Sequence, residues 1–295
     1  MKIVLIGKNG QLGSDCLQVL QQGHELVALG SRELDITDAQ QVEAMVRQER
    51  PDVVLNCAAY TKVDAAEQER ELAYRLNVAG PRHLASSLAR HGGCLVHIST
   101  DYVFDGRKPV PEPYREDEAM GPLSYYGQTK AEGEEVIRQE LAAYIIVRTA
   151  WLYGRRGHNF LKTMLRLALQ EPRPQIRVVN DQFGSPTWSW RLAQQLATLI
   201  AAGGQGIYHA TAEGYTTWCE LAKTFLQAMG LDIPVIPITT AEYPTPARRP
   251  QNSILENQRL KEQGLNLMRS WQDDLLEFVA QHGEALRQEV SGPSR

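Results

Sequence analysis

The sequence predicts an α/β fold: a doubly wound parallel sheet followed by a smaller, mixed α+β part. Three observations predict it. Up to about residue 150, short β-rich runs alternate with amphipathic helical stretches, the rhythm of a parallel sheet covered by helices. A glycine-rich turn, Gly7-Lys8-Asn9-Gly10-Gln11-Leu12-Gly13, joins the first run to the first helix. Beyond Trp151 the rhythm loosens under prolines at 172, 174, 186, 234, 237, 244, 246 and 250, which favour long, pocket-shaping loops. Residues 1–150 are therefore expected to bind a dinucleotide. Residues 151–295 are expected mainly to bind substrate, with some segments returning to the first domain.

In chain order, the expected strands are Lys2 to Ile6, Glu25 to Leu29, Asp52 to Asn56, Cys94 to Ile98 and Tyr144 to Val147. The helices between them are Gln11 to Gln22, Asp38 to Arg50, Glu67 to His91 and Ser124 to Leu141, with Thr37 and Asp38 as cap residues for the second. Right-handed crossovers make this a doubly wound fold. Later helices are expected near Asn159 to Gln170, Ser189 to Ala201, Thr216 to Met229 and Trp271 to Arg287, and the tail from Ser291 is expected to fray.

Composition narrows the function classes. The 295 residues carry 43% hydrophobic and 22% charged residues, an ordinary globular balance that argues against wholesale disorder. A net charge of -4 gives no electrostatic footprint for nucleic acid or an anionic membrane. Cys16, Cys57, Cys94 and Cys219 form no Cys-x-x-Cys pair, so neither a zinc site nor a disulfide framework is indicated. The apolar N-terminal run stops at Ile6, too short for a signal segment, and a cytoplasmic setting is expected.

The glycine turn carries the first chemistry. Gly7, Gly10 and Gly13 follow a strand and open a helix, where glycine serves the tight turn, the approach of backbone to pyrophosphate and helix–strand packing. This is the context of a Rossmann dinucleotide site. At the end of the second strand, Ser31 and Arg32 favour the 2′-phosphate of NADPH, while Glu33 and Asp35 are near enough in sequence to take ribose or adenine groups, so NADH is also admitted.

Tyr126 and Lys130 stand four apart at the start of a helix, which puts both on one face; of eleven tyrosines, this one alone has lysine at plus four. An ammonium beside a phenol lowers its pKa from about 10 and suits it to proton transfer. Ser99-Thr100-Asp101 lies just past the fourth strand, at the carboxyl edge where open α/β sheets place their sites. Thr100 is the expected partner of a carbonyl substrate and Ser99 the alternative.

With Asn56-Cys57-Ala58-Ala59-Tyr60-Thr61 added after the third strand, the chain resembles the extended short-chain dehydrogenase/reductase family over nearly its whole length. Five segments in order are similar to the dTDP-4-dehydrorhamnose reductase branch: the glycine turn, Ser99 to Gly106, Arg148-Thr149-Ala150-Trp151-Leu152-Tyr153-Gly154, Asp181-Gln182-Phe183-Gly184-Ser185-Pro186-Thr187 and Arg249-Pro250-Gln251-Asn252-Ser253. The resemblance implies NADPH-dependent reduction of the 4-keto group of dTDP-6-deoxy-L-lyxo-4-hexulose to dTDP-L-rhamnose, a step toward cell-surface polysaccharides such as lipopolysaccharide. It implies Tyr126 as proton donor, Lys130 on the nicotinamide ribose and Thr100 on the reacting oxygen. Gly10, Gln11 and Leu12 would line the pyrophosphate, Asp35 and Ile36 the adenosine end, and Ala58, Ala59 and Tyr60 the middle of the cofactor. Asp101, Trp151, Asn159, Arg249 and Asn252 would contact the sugar nucleotide, and charge alone makes Arg249 or Arg248 attractive for a pyrophosphate.

The resemblance also suggests a homodimer, in some relatives bridged by magnesium. Asp15 fits the first acidic position, but Thr187-Trp188-Ser189-Trp190-Arg191 offers no glutamate for the second, and no metal is assigned. Rival readings are a sugar-nucleotide 4,6-dehydratase or epimerase, another sugar-nucleotide reductase, and a non-catalytic regulator resembling the regulatory subunit of methionine adenosyltransferase. Dehydratases resembling this chain have a glutamate base after the aspartate, whereas Tyr102 follows Asp101 here.

Overall fold

The computed structural model describes residues 1–170 and 175–291; Pro172, Pro174 and the tail past Ser291 lie outside them. The first half runs β1 (Lys2–Ile6), α1 (Gln11–Leu20), β2 (Glu25–Leu29), α2 (Ala39–Glu49), β3 (Val53–Asn56), α3 (Arg70–Tyr74), α4 (Gly80–His91), β4 (Cys94–Thr100), α5 (Tyr125–Glu140) and β5 (Tyr144–Thr149). The second continues as β6 (Leu152–Tyr153), α6 (Phe160–Ala168), β7 (Ile176–Val179), β8 (Phe183–Gly184), β9 (Thr187–Trp188), α7 (Ser189–Ala201), β10 (Gly206–His209), β11 (Thr216–Thr217), α8 (Trp218–Ala228), β12 (Val235–Ile238), α9 (Gln258–Glu262) and α10 (Trp271–Ser291).

Among the described residues the main sheet has six strands, all parallel, in the order β2-β1-β3-β4-β5-β10. Strand order reverses between β1 and β3, and the crevice at the carboxyl ends there is where such a sheet takes its ligand. β1 and β3 are almost wholly apolar because helices cover both faces. On one face Ile3, Leu5, Leu12 and Cys16 pack with Leu192, Leu196 and Tyr208; on the other, Val4 and Ile6 pack with Val42, Leu84 and Ile137. A second core joins Leu165, Phe225 and Phe278 of the later helices with Trp188 of β9.

The sixth strand, β10, comes from beyond residue 150 and among the described residues pairs only with β5, so the sheet draws on both halves of the chain. One feature departs from expectation. The stretch expected as one helix from Glu67 to His91 is broken: α3 passes through a widened π turn, Arg75–Ala79, into α4. The cause is Pro81, which has no N–H for the Asn77 carbonyl four residues back. The turn directs the Asn77 side chain inward, where it accepts from Tyr60 N at 2.9 Å and donates to Thr129 Oγ1 at 3.0 Å. Elsewhere the caps do as expected: Asp38 accepts from Gln40 N and Gln41 N to start α2. Among the described residues no helix is long and apolar enough to cross a membrane.

Candidate active site

Beyond β1 the chain turns at Gly7, whose φ of +87° lies in the left-handed region and whose added Cβ would lie 3.0 Å from Ala58 N. A Cβ on Gly13 would lie only 2.1 Å from Gly7 O, so α1 can lie this close to the turn only with glycine there. Gly10 caps α1 without a side-chain hydrogen bond, which leaves the positive end of the helix open to an anion. A cleft of about 490 Å³ opens here, lined by Gly7, Asn9 and Gly10 of the turn, by Asp35, Ile36, Ala58 and Ala59, and also by Leu34 and Leu76, which carry no motif. The donors and the close backbone approach fit a dinucleotide pyrophosphate.

The other expected cofactor residues are placed less directly. Leu12 buries its side chain in the core, so only its backbone is available, and Gln11 Oε1 accepts from Asn159 Nδ2 at 3.0 Å. Tyr60 packs beside Tyr126 and donates its hydroxyl to Glu69 at 2.9 Å. Arg32 is exposed at the end of β2. Glu33, offered above as a ribose acceptor, is already engaged, taking Lys8 Nζ and Gly30 N at 2.8 Å each.

Register sends the Ser99 and Thr100 side chains to opposite sides of β4. Ser99 points away and donates to the buried Glu134, whereas Thr100 Oγ1 donates to Asp101 Oδ1 at 2.9 Å. Ser124 caps α5 by accepting from Gly127 N, and a Cβ on Gly127 would lie 2.3 Å from Tyr102 O. That close contact sets Tyr126 against the Thr100 turn, its ring edge-on to Tyr102 with centroids 5.7 Å apart. Burial pushes the Tyr126 phenol up to about 12; a hydrogen bond with Thr100 opposes the rise and Asp101 adds to it.

This corrects the expectation of a phenol made acidic by an adjacent ammonium. Lys130 Nζ is turned instead to Ile98 O at 2.7 Å and His97 Nε2 at 3.1 Å. Burial lowers the Lys130 amine to about 8, with Glu134 opposing. Asp101, 2% exposed and with no hydrogen-bond partner for Oδ2, is pushed up to about 6, chiefly by burial.

A second cleft of about 510 Å³ includes Arg249, Asp64, Trp218, Phe160, Gln182 and Tyr243. Arg249 faces into it with its guanidinium on Asp64. Tyr102 connects the two regions, since its ring meets Tyr126 and its phenol senses the charges of Asp101 and Arg249. Trp151 stacks on Trp218 with centroids 3.6 Å apart and planes within 8°. It is a non-glycine residue at φ +48°, and Gly184 makes room for it, since an added Cβ there would lie 2.5 Å from the indole.

Asn159 and Asn252, expected as sugar-nucleotide contacts, are instead committed to the framework. Asn159 caps α6 through Lys162 N and donates to Gln11 and to Gly154 O. Asn252 is fully buried, donating to the carbonyls of Lys108 and Glu112 and accepting from Ile254 N. The family resemblance suggested both as ligands, and capping draws on the same amide chemistry as ligand binding. Asp15 Oδ2 accepts from Ser189 Oγ at 2.5 Å, and among the described residues no cluster of His, Cys, Asp or Glu could hold a metal ion. Trp218, Asp64 and His97 were not anticipated, since no local motif marks them.

A switch-point cleft, an open helix end behind a glycine turn and a Thr-Tyr-Lys set define an extended short-chain dehydrogenase/reductase. The family model described as the RmlD substrate binding domain matches residues 1–283, and the chain belongs to that family, the dTDP-4-dehydrorhamnose reductases. It is 44% identical to the dTDP-4-dehydrorhamnose reductase of Streptomyces griseus, covering 98% of this chain and 97% of that one. The crystal structure of a Clostridium acetobutylicum dTDP-4-dehydrorhamnose reductase superposes with a TM-score of 0.92 at 39% identity, covering 96% of this chain and 100% of that one. The Bacillus anthracis dTDP-4-dehydrorhamnose reductase in complex with NADP superposes with a TM-score of 0.91 at 39% identity, covering 95% and 99% respectively.

Proposed function

We propose that the protein reduces the 4-keto group of dTDP-4-dehydro-β-L-rhamnose to give dTDP-L-rhamnose, with NADPH as the preferred reductant and NADH also accepted. The observation that carries this reading is the hydroxyl pair of Tyr126 and Thr100, buried together at the carboxyl edge of β4. NADPH, when bound, supplies the hydride. The Gly7 to Gly13 turn and the first turn of α1 hold its pyrophosphate, Asp35 and Ile36 its adenosine end, and Lys130 its nicotinamide ribose.

Tyr126 keeps its proton at neutral pH because burial raises its pKa to about 12, so it stands ready as an acid. It gives that proton to the carbonyl oxygen as negative charge develops there, and Thr100 hydrogen-bonds the same oxygen. Arg249, a planar fork already paired with a carboxylate, exchanges Asp64 for the substrate pyrophosphate. Trp151, braced by Trp218, presents an indole face to the sugar. With Tyr102 where a dehydratase would have its glutamate base, elimination lacks a proton acceptor and reduction is the reaction left.

Purified protein given NADPH and a panel of 4-keto sugar nucleotides is expected to consume NADPH with the dTDP-linked 4-keto-6-deoxy sugar, followed by absorbance, with the product identified by NMR. A flat response across the panel overturns the activity. Tyr126→Phe is expected to lose roughly 10²- to 10⁴-fold in kcat while binding NADPH as before; normal turnover overturns the assignment of the proton donor.

A further inference from the structure

Lys130 spends its amine on Ile98 O and His97 Nε2, and the residues behind it supply a reason. Asn56, at the end of β3 and opposite His97 in register, accepts from Ala58 N through Oδ1 at 3.1 Å. That bond fixes which way its amide faces, so the NH₂ group is the one 3.2 Å from His97 Nδ1 and must donate to it. An Nδ1 that accepts puts the proton of the neutral imidazole on Nε2. This N–H faces the Lys130 amine at 3.1 Å.

An ammonium there would set donor against donor, whereas a neutral amine accepts from Nε2–H with its lone pair and still donates to Ile98 O at 2.7 Å. We propose that His97 is a positioning residue: with Asn56 it parks the neutral amine of Lys130 beneath the site and releases the ammonium toward the nicotinamide ribose. The proposal rests on the reading of Lys130 as the ribose-holding residue.

The surroundings of the amine agree with this. His97 is 1% exposed, and burial holds its imidazole neutral. Of the titratable groups nearby, Glu134 on the same helix favours the ammonium but is paired with Arg148 of β5, and Tyr126 keeps its proton. Asp101 and Tyr102 sit in the turn after β4, while the π turn packed on α5 brings the neutral Asn77 amide to Thr129 and sends its charged residue, Arg75, outward to Thr37.

The test is NADPH affinity of the ligand-free protein, read by cofactor fluorescence from pH 7 to 10. In the native protein, affinity is expected to weaken as pH rises through the titration of Lys130, and in Lys130→Met this pH dependence is expected to vanish. His97→Gln presents an amide oxygen to the amine. Asn56→Asp still accepts from Ala58 N but takes the Nδ1 proton, turning the Nε2 lone pair toward Lys130. Both variants are expected to move the alkaline limb up by about one pH unit, a roughly tenfold difference in the proton affinity of the amine.

A merely structural histidine would change the affinity but not the position of the limb. A limb lost in Lys130→Met yet unmoved in a folded His97→Gln or Asn56→Asp overturns the proposal and leaves the role of Lys130 standing. A native protein with no limb traceable to Lys130 overturns both. Imidazole ¹⁵N shifts of the native protein decide the matter without any variant: His97 is expected as the Nε2–H tautomer, and an Nδ1–H tautomer overturns the proposal.

Discussion

Arg148 and Glu134 form a buried ion pair behind the Tyr126–Lys130 face, with Nη2 2.7 Å from Oε2, Nε 2.9 Å from Oε1, and side chains 2% and 0% exposed. Glu134 lies one helical turn past Lys130, takes the Ser99 hydroxyl as well, and joins α5 to β4 and β5; Arg148 also lies over the Phe104 ring. Removing one partner strands a charge in a dry interior. Glu134→Gln and Arg148→Met are each expected to cost about 3–5 kcal/mol in urea unfolding, and Glu134→Met with Arg148→Met much less than the sum. Additive losses would show that the two side chains are held independently.

Asp64 and Arg249 make a second pair of different character, two parallel bonds of 3.0 and 2.7 Å between groups that remain partly open to a cleft. Because the guanidinium is planar and the pair is reachable, a diphosphate can take the place of the carboxylate. Arg249→Ala is expected to raise the KM for the sugar nucleotide roughly ten- to hundredfold, the size of one or two charge-assisted hydrogen bonds, and to leave the KM for NADPH unchanged. Arg249→Lys is expected not to restore it, since an ammonium cannot make two parallel bonds. Equal effects on both substrates would place Arg249 outside the sugar-nucleotide site.

What was legible in the sequence is what depends on neighbours along the chain. Gly7 and Gly13 could be read because a strand-to-helix turn makes backbone demands that glycine alone meets, and Tyr126 with Lys130 because four residues make a helical turn. The five expected strands could be read because a doubly covered parallel sheet needs apolar runs. What depends on pairing across the chain could not. Ser99 and Thr100 are separated by register with β5, and Asp64 meets Arg249 from 185 residues away. His97 acts through partners on two other elements. β10 is four residues long with a glycine at its start, too short for alternation to mark.

We propose that Arg32 carries the choice of cofactor. It is exposed at the end of β2, whereas the adjacent Glu33 is occupied by Lys8 and Gly30 N, which hold its carboxyl below the usual range. A carboxylate so engaged repels a 2′-phosphate less and is a poor ribose acceptor, which leaves Arg32 as the nearby cation for NADPH. Arg32→Ala is expected to raise the KM for NADPH about tenfold and that for NADH little. Steady-state assays with both cofactors check this, and equal shifts would remove Arg32 from contact with the 2′-phosphate.

Asp101 gives the fold a pH dependence whose sign follows from its burial. Its carboxyl titrates at about 6 against an ordinary 3.8, chiefly because burial penalises the charged form. Below both values folded and unfolded states are protonated alike and the group contributes nothing. Between them the unfolded chain loses its proton first, so stability falls as pH rises, and above about 6 the full penalty of about 2–3 kcal/mol is present. Asn in its place keeps an oxygen for the Thr100 hydroxyl but carries no charge. Asp101→Asn is therefore expected to stabilise the fold by about 2–3 kcal/mol at pH 8, shrinking to about 1 kcal/mol at pH 4.5. Urea titrations at the two pH values measure it, and a gain that does not change with pH would mean that the folded carboxyl titrates no higher than the unfolded one.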